Sequence, residues 1–510
     1  MVWSGQFDRL FIGGEWVLPL SPERITVTSP VTEQAIAQVP SASVEDVDRA
    51  VAAARDAFDH GPWASAPLEH RLEVMHRFRA AYAEHADALA DLVTEEMGCP
   101  ISFSRVIQTG TPLAILDSYL ELAPVYEFRA IRRAGSGSAL VTKEPVGVVA
   151  AVIPWNVPQS VLMMKLAPAL LVGCSIIIKP APETPLDVYL TVELLQEAGV
   201  PPGVVNMLPA DREASEYLVT HPQVDKVAFT GSTAVGRHLA SRCGQDLKRL
   251  TLELGGKSAA IFLDDADLDT AVEKLRYLSM RNSGQVCSLK TRLVVSRRRE
   301  QELLDRLTSM VASMPVGDPK DPATQIGPMV TARHRGVVEG YIEAGRAQGA
   351  KLVMGGGRPN GLDRGWYVEP TIFADVDPDM RIAQEEIFGP VLAVLSYEDE
   401  AEAIEIANNS TYGLNGAVFT SDLERGLAVA GQIRTGTVEL NGNPPGFHAP
   451  IGGFKSSGLG REAGLEGFDA YVEPRSIGLP PDLADALEAA SPPRTSRDEP
   501  RSPSTIDDLP

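Results

Sequence analysis

Between residues 146 and 230 the chain alternates short apolar runs with amphipathic stretches, and no other feature restricts the fold as strongly. Runs rich in β-branched residues predict buried strands at residues 146–153, 174–179, 204–208 and 226–230. Helical periodicity separates these runs, at residues 159–171, 186–198 and 213–220. Strands that are buried on both faces and joined by helices run parallel. The segment therefore predicts an α/β fold with a doubly wound sheet.

Polar residues follow these predicted strands at three points: Trp155-Asn156, Lys179 with Glu183, and Gly231-Ser232. Ligands of doubly wound sheets bind beyond the carboxyl ends of the strands. Backbone N–H groups at Gly231, just before a helix, suit a pyrophosphate, and Lys179 is placed to reach ribose hydroxyls. Neither signal is specific alone. An ordinary strand-to-helix turn explains the glycine equally well, and a strand-end lysine is usually only a solvated charge.

Composition limits the kinds of binding partner and the cellular compartment that are expected for this chain. The 510 residues include 46 Lys and Arg against 68 Asp and Glu, for a net charge of −22, which argues against nucleic acid or an anionic membrane as the main partner. The 4 cysteines are scattered without a CxxC or Cys/His spacing, so neither a metal site nor a disulfide framework is expected. With no signal-peptide pattern and an apolar stretch at 146–178 that prolines and polar residues interrupt, a cytoplasmic protein without a membrane span is expected.

The flanking segments carry weaker signals. Ser43 is predicted to cap a helix over residues 43–60, and long helical patterns continue over 68–97. A second α/β region is predicted from Lys257 to about residue 460. Residues 491–510 are rich in Pro, Ser, Arg and Asp, which predicts a disordered tail.

Glu253 and Cys287 are set among glycines and supply the two groups that thioester chemistry needs. A thiol can attack a carbonyl and hold the acyl group, and a carboxylate can activate the water that releases it. Plainer explanations exist for both. Free cysteines are commonly buried and inert, and Glu253, between two leucines, fits a strand-edge charge.

Several motifs together resemble the NAD(P)-dependent aldehyde dehydrogenase superfamily, over about residues 7–480. The matching motifs, in the family's order and spacing, are Pro154-Trp-Asn, Ile178-Lys-Pro, Phe229-Thr-Gly-Ser-Thr, Leu252-Glu-Leu-Gly-Gly-Lys, Gly284-Gln-Val-Cys, Glu385-Glu-Ile-Phe-Gly-Pro and Pro450-Ile-Gly-Gly-Phe-Lys-Ser-Ser-Gly-Leu-Gly-Arg-Glu. The resemblance implies a Rossmann-type cofactor domain, an α/β catalytic domain and a small β element for oligomerisation.

The resemblance also implies catalytic roles. Cys287 matches the nucleophile that forms a thiohemiacetal and then a thioester. Asn156 matches the side-chain donor to the oxyanion, acting with the backbone N–H of Cys287. Glu253 matches the general base for hydrolysis, and Lys165 matches a lysine near the proton route.

Cofactor contacts follow in the same way. The residues that match them are Trp155, Lys179, Glu183, Gly231, Ser232, Glu386 and Phe388. Many NAD-preferring relatives carry a glutamate three residues after the strand-end lysine, where it excludes the 2′-phosphate of NADP. Here that position is Pro182 and the acid follows at Glu183. The family's habit favours NAD, and NADP is not excluded.

Val161, Met164 and Ile451 match positions that line the aldehyde tunnel in relatives. All three are apolar, so the resemblance implies a neutral, fairly hydrophobic aldehyde as the small-molecule substrate. The alternatives are a semialdehyde dehydrogenase, a CoA-acylating dehydrogenase, whose members commonly lack the glutamate base, and an inactive structural homologue.

The implied organisation has three parts. Residues 1–123 and 146–255 form the cofactor-binding domain, and residues 256–460 form the catalytic domain. Residues 124–145 and 465–480 form a bridging element. Because an unpaired strand edge there favours association, a homodimer or homotetramer is expected.

Overall fold

The computed structural model describes residues 7–490, which separate into two compact units. The larger unit comprises residues 7–125 and 145–471, and the smaller one comprises residues 126–144 and 472–490. The predicted disordered tail, residues 491–510, lies outside the described residues.

The strands of the described residues are β1 (Leu10–Ile12), β2 (Glu15–Val17), β3 (Arg24–Thr28), β4 (Ala35–Pro40), β5 (Arg129–Ala134), β6 (Gly137–Pro145), β7 (Val148–Val152), β8 (Ser175–Lys179), β9 (Val205–Met207), β10 (Lys226–Thr230), β11 (Arg249–Glu253), β12 (Ser258–Phe262), β13 (Lys290–Ser296), β14 (Lys351–Met354), β15 (Thr371–Ala374), β16 (Val391–Tyr397), β17 (Tyr412–Gly413), β18 (Gly416–Phe419), β19 (Glu439–Leu440), β20 (Phe454–Lys455), β21 (Gly458–Leu459) and β22 (Val472–Leu479).

The α-helices of the same residues are α1 (Val44–Asp59), α2 (Leu68–Glu84), α3 (Ala86–Met97), α4 (Ile101–Phe103), α5 (Thr111–Leu122), α6 (Pro158–Val172), α7 (Leu186–Glu197), α8 (Arg212–Thr220), α9 (Thr233–Gln245), α10 (Leu268–Leu278), α11 (Glu300–Ala312), α12 (Ala332–Ala347), α13 (Arg381–Gln384), α14 (Glu400–Asn408), α15 (Leu423–Ala430), α16 (Gly464–Asp469) and α17 (Pro481–Ala490). A π-helical segment, Ser104–Gly110, joins α4 to α5. The predicted cap of α1 is confirmed, because Ser43 Oγ accepts a hydrogen bond from the backbone N–H of Asp46.

The first sheet has the strand order β2-β1-β9-β8-β7-β10-β11-β21. Its central strands β9, β8, β7, β10 and β11 run parallel, and all residues of β7, β8 and β9 are buried. The doubly wound sheet predicted from the apolar runs is therefore confirmed. Since β8 lies on one side of β7 and β10 lies on the other, the carboxyl ends of these strands open toward one edge of the sheet, where such folds bind ligands.

The second sheet has the order β14-β15-β16-β13-β12-β18-β19, with only β14 antiparallel to its neighbour. Successive residues of β12 point to opposite faces. Ala259 and Ile261 belong to one hydrophobic cluster, while Ala260 and Phe262 belong to another. Both faces of this sheet are thus covered, which explains why β12 carries no alternation of polar residues.

The smaller unit contains a three-stranded sheet of order β22-β6-β5, together with α17. Much of β22 is exposed, including Ile477. On β5, Arg133 pairs with Asp485 and Glu488 of α17, with each shortest N–O distance at 2.7 Å. No helix among residues 7–490 has the length and apolar character needed to cross a bilayer.

Candidate active site

Cys287 lies in the loop between α10 and β13, which begins with a left-handed turn. Asn282, Ser283 and Gly284 have φ values of 51°, 56° and 79°. A side chain at Gly284 would collide with the backbone of Gly389, so only glycine fits there. The backbone of Cys287 is also closely packed, because a Cβ at Gly256 would lie 2.5 Å from the Cys287 carbonyl oxygen. The backbone of Cys287 is therefore packed against the Gly255-Gly256 turn.

The Cys287 side chain is partly exposed, whereas the other three cysteines are buried. Burial raises the pKa of the Cys287 thiol to about 12, with further contributions from the negative charges of Glu253 and Glu386, and the positive charge of Arg281 opposes the rise. Both carboxylates therefore act on this sulfur electrostatically. A thiol must lose its proton before it can act as a nucleophile, and the raised pKa makes that loss less favourable.

Asn156 follows β7 and is buried beside the loop that bears Cys287. Its Nδ2 donates a hydrogen bond of 2.9 Å to the carbonyl of Gln285, two residues before Cys287. A carboxamide carries two N–H donors, so this contact leaves a second one for another acceptor. The Asn156 side chain is therefore anchored to the loop segment that bears the thiol.

Glu253 ends β11, with its Cα opposite Thr230 of β10 and Gly458 of β21. Burial raises the pKa of its carboxyl to about 8; the charge of Glu462 adds to the rise, and those of Lys165 and Arg461 oppose it. A carboxyl with a pKa near 8 accepts a proton far more readily than an ordinary surface acid.

A buried ion pair lies next to Glu253. Lys165 Nζ on α6 lies 2.6 Å from Glu462 Oε1, and it also donates to Thr230 Oγ1 over 2.8 Å. The two side chains are 0% and 1% exposed. The sequence analysis selected Lys165 but assigned no role to Glu462, although the motif that ends in Gly460-Arg-Glu includes it.

Glu386 and the Gly255-Gly256 turn are in direct contact. Glu386 Oε1 accepts a hydrogen bond of 3.0 Å from the backbone N–H of Gly256, and a side chain at Gly255 would overlap the Glu386 carboxylate. Burial raises the pKa of Glu386 to about 7. The turn thus has Cys287 on one side and Glu386 on the other.

Phe388, two residues after Glu386, has a left-handed backbone with a φ of 58°. Its ring meets Trp155 edge-on at a centroid distance of 5.4 Å, and the Nε2 atom of His334 lies 2.7 Å from its carbonyl oxygen. His334 also contacts the Trp155 ring. These aromatic contacts join Trp155, which precedes Asn156, to the segment that bears Glu386.

Lys179 and Glu183, at and just beyond the carboxyl end of β8, are the predicted contacts of the adenosine ribose. Lys179 ends β8 and is buried, and burial lowers its pKa to about 8 while Glu183 opposes the change. Burial raises the pKa of Glu183. Pro182, the position of the departure from NAD-preferring relatives, is exposed.

Gly231 and Ser232 join β10 to the N-terminus of α9. The Gly231 N–H donates to the carbonyl of Glu253 over 3.0 Å, and Ser232 caps α9 through the N–H of Val235. Ser232 and Val235 are exposed, which leaves this helix N-terminus open to an anion. This terminus is where the predicted pyrophosphate contact lies. Among residues 7–490 no group of three His, Cys, Asp or Glu side chains could hold a metal ion.

The predicted tunnel residues lie at two places. Val161 and Met164 are on α6, four residues and one residue before Lys165, with Val161 buried and Met164 partly buried. Ile451 pairs through its backbone with Glu462, so it lies at the same end as the ion pair. Arg281 was not predicted. Its guanidinium is 4.5 Å from the Tyr277 ring centroid and donates to Ser288 Oγ over 3.0 Å, one residue beyond Cys287.

Comparison with known proteins agrees with this geometry. The family model described as "Aldehyde dehydrogenase family" matches residues 16–477. The chain belongs to the aldehyde dehydrogenase family. The resemblance noted in the sequence and the fold class that it implied are both confirmed.

Similar aldehyde dehydrogenases span nearly the whole chain. Geranial dehydrogenase of Castellaniella defragrans is 46% identical, covering 92% of this chain and 98% of that protein. 3-Succinoylsemialdehyde-pyridine dehydrogenase of a Pseudomonas species is 41% identical with the same coverage. The crystal structure of a Mycobacterium tuberculosis aldehyde dehydrogenase complexed with NAD+ has a TM-score of 0.92 at 44% identity, covering 93% of this chain and 98% of that one. A Pseudomonas syringae aldehyde dehydrogenase mutant complexed with NAD+ and octanal has a TM-score of 0.90 at 39% identity, covering 94% and 98%.

Proposed function

We propose that this aldehyde dehydrogenase oxidises an aldehyde to a carboxylic acid with NAD, through a thioester on Cys287. The observation that carries the proposal is the convergence of an acid that ends β11 and a thiol in the loop before β13: the charge of Glu253 acts on Cys287, and Asn156 is tethered two residues from that sulfur. These are the groups that acyl transfer requires.

In the first half of the reaction the Cys287 sulfur adds to the aldehyde carbon and loses its proton to a nearby base. The second N–H of Asn156 and the backbone N–H of Cys287 donate to the developing oxyanion. Loss of one such donor typically slows the reaction ~100–1000-fold. The nicotinamide, when bound, supplies the acceptor for the hydride that leaves as the oxyanion collapses.

In the second half, Glu253 removes a proton from the water that attacks the thioester carbon, and the Cys287 sulfur is the leaving group. The proton passes from Glu253 toward the buried pair of Lys165 and Glu462, whose charges act directly on this carboxyl. A base with a pKa of about 8 suits this step near neutral pH.

The cofactor is held by residues at the strand ends. Lys179 and Glu183 bind the adenosine ribose, Gly231 and Ser232 receive the pyrophosphate, and Glu386 binds the nicotinamide ribose. Phe388 and Trp155 pack beside the nicotinamide. NAD is favoured because similar structures are described with NAD+, and NADP use is retained as an alternative because Pro182 supplies no carboxylate.

The substrate proposed is a neutral, fairly hydrophobic aldehyde. Val161, Met164 and Ile451 are apolar, and similar proteins are described as acting on geranial or as binding octanal. A semialdehyde is the second candidate, because the Arg281 guanidinium lies within electrostatic reach of Cys287 and could attract a distal anionic group. CoA acylation is ranked below both, since Glu253 is present.

The organisation proposed assigns the first sheet, apart from its edge strand β21, to the cofactor domain, within residues 1–123 and 146–255. It assigns the second sheet to the catalytic domain, within 256–460. The element at 124–145 and 465–480 joins subunits into a homodimer or homotetramer; the exposed β22 supports this. A cytoplasmic location is proposed because all 4 cysteines are free.

A kinetic panel tests the function. Octanal, an aromatic aldehyde and succinic semialdehyde are each offered with NAD and with NADP, and reduced nicotinamide is followed by absorbance. Turnover of octanal above the semialdehyde supports the first candidate, and the reverse order supports the second. Cys287→Ala should abolish turnover while NAD affinity, measured by calorimetry, changes little. If no reduced nicotinamide formed with any aldehyde and either cofactor, the result would favour an inactive structural homologue.

A further inference from the structure

Two side-chain amides converge on one backbone oxygen, that of Asn156. Gln108 Nε2 donates to this oxygen over 2.9 Å, and Asn282 Nδ2 donates to it over 3.0 Å. The three residues come from the π-helical segment, the loop after β7 and the left-handed turn before Cys287. All three are buried. The peptide that bears the candidate oxyanion donor is thus held from two directions.

The same two amides each leave an oxygen unsatisfied. Within the described part of the chain, Gln108 Oε1 and Asn282 Oδ1 are buried and accept no hydrogen bond. An orphaned buried acceptor destabilises the fold, so such atoms in native proteins call for an explanation. Here the explanation is that each amide is oriented to aim its N–H groups at Asn156, at the expense of its own oxygen.

Gln108 is itself fixed by the π-helical segment. Its backbone carbonyl accepts a hydrogen bond from the Tyr82 hydroxyl over 3.3 Å, and the preceding carbonyl, of Ile107, accepts one from Ser160 Oγ over 2.6 Å. Single π-helical turns widen a helix locally and are frequent at functional sites. Side chains from α2 and α6 therefore satisfy the carbonyls of this turn and hold Gln108 in place.

Asn282 closes the other side. Its Nδ2 also lies 3.4 Å from the Gln285 carbonyl, the oxygen that accepts from Asn156 Nδ2. The left-handed φ of 51° at Asn282 is a conformation that asparagine tolerates better than most residues. Asn156, Asn282 and Gln285 form a closed set of hydrogen bonds that fixes the carboxamide relative to the backbone of Cys287.

We infer that Gln108 and Asn282 are positioning residues for the oxyanion donor. They hold the backbone of Asn156 so that the second N–H of its side-chain amide meets the substrate oxygen beside Cys287. The inference rests on the proposed function and deepens it. Neither residue touches the reacting atoms in this arrangement. Gln108 acts through Asn156, whereas Asn282 acts through both Asn156 and Gln285. Gln108 is the better probe because it lies outside the strained turn.

The experiment compares Gln108→Met in the wild-type and Asn156→Ala backgrounds. The reading is the rate constant of the first turnover, from rapid mixing of enzyme and NAD with octanal, alongside the KM for NAD and the melting temperature. Gln108→Met is expected to slow the first turnover about 10- to 100-fold, because small misplacements of a catalytic group have effects of that size. The KM for NAD should stay within about twofold of wild type, since neither Gln108 nor Asn156 is among the residues proposed to bind the cofactor.

The double variant provides the decisive comparison. If Gln108 acts only through Asn156, Gln108→Met should produce no further loss once the Asn156 side chain is gone. Gln108→Glu provides a second reading and a safeguard against misfolding. A buried glutamate that stays protonated still donates through its hydroxyl, so this variant should keep activity at low pH and lose it as pH rises.

Thr191→Val is the matched control. Thr191 Oγ1 bonds Gln159 in the neighbouring buried network and makes no contact with Asn156, so its loss should leave the first turnover within about twofold of wild type. Wild-type speed in Gln108→Met, or losses that multiply in the double variant, would overturn the inference while leaving the proposed function intact. A wild-type protein that oxidises no aldehyde would overturn both.

Discussion

Lys165 and Glu462 form a buried ion pair, with Nζ 2.6 Å from Oε1 and both side chains almost inaccessible to solvent. The pair connects α6 to the segment after β21, residues that are 297 positions apart in the chain. Its charges act in opposite directions on the pKa of Glu253. The strength of the proposed general base is therefore set by a contact that is remote in the sequence.

Glu462→Gln should shift the pH dependence of deacylation. Burial and the Glu462 charge raise the pKa of Glu253, so removing that charge lowers this pKa and the base becomes active at lower pH. The midpoint of the rate of acid release, followed in single turnovers between pH 5 and 9, should move in the acidic direction. Glu466→Gln, which removes an exposed acid of α16, serves as the control and should leave the midpoint in place. An alkaline or absent shift would show that Glu462 does not act on the base.

Glu253→Gln should change how stability depends on pH. The pKa of Glu253 is raised to about 8 in the folded protein, above its ordinary value of 4.5, so the folded state binds the proton more tightly than the unfolded state. The resulting stability is present below pH 4.5 and is lost as pH rises toward 8, at no more than ~1.4 kcal/mol per pH unit. A glutamine has no such loss. Denaturant unfolding at several pH values should therefore show that the free energy of unfolding of Glu253→Gln rises relative to that of wild type between pH 5 and 8. If the two free energies changed in parallel with pH, the raised pKa would be refuted.

The alkylation rate of Cys287 should respond with opposite signs to two neighbours. The Glu253 charge raises the pKa of the thiol and the Arg281 charge lowers it, after the larger effect of burial. With iodoacetamide at pH 8, Glu253→Gln should react faster than wild type and Arg281→Met more slowly, because only the thiolate reacts. Mass spectrometry of the peptide that contains Cys287 gives the rates, and Cys287→Ala provides the background. Equal rates in all three proteins would place both charges out of reach of the sulfur.

Pro182→Glu should strengthen the preference for NAD over NADP. Position 182 is exposed and lies three residues beyond Lys179, where a carboxylate would repel a 2′-phosphate. The ratio of kcat/KM for NAD to that for NADP should rise about tenfold or more, a difference of ~1.4 kcal/mol. Pro182→Gln has a similar size without the charge and should change the ratio far less. Equal effects of the two substitutions would mean that this position does not face the ribose.

The positions of the strand-end residues could be predicted from the sequence, because they depend only on the local pattern of apolar residues. Lys179 and Gly231 each follow an apolar run, and a run of that kind predicts a buried parallel strand whichever residues pack against it. The roles of Glu253 and Cys287 came from the resemblance, since a lone acid or thiol has several equally good structural explanations.

The remaining contacts depend on chain segments that meet only in the fold. Gln108 lies 48 positions from Asn156, in a π-helical segment that the hydrophobic periodicity of the sequence did not predict. Glu462 was visible inside a matched motif, but nothing local connects it to Lys165. Arg281 lies in the same loop as Cys287, but nothing in the sequence indicated that its guanidinium would lie near the thiol.

Trapping the acyl enzyme tests the central claim most directly. Glu253→Gln is mixed with octanal and NAD, quenched in acid after one burst of reduced nicotinamide, and digested for mass spectrometry. The predicted result is an octanoyl group on the peptide that contains Cys287. The adduct should be absent from the double variant that also carries Cys287→Ala. Reduced nicotinamide formed in the burst with no adduct on that peptide, or with the adduct on another residue, would contradict the thioester account.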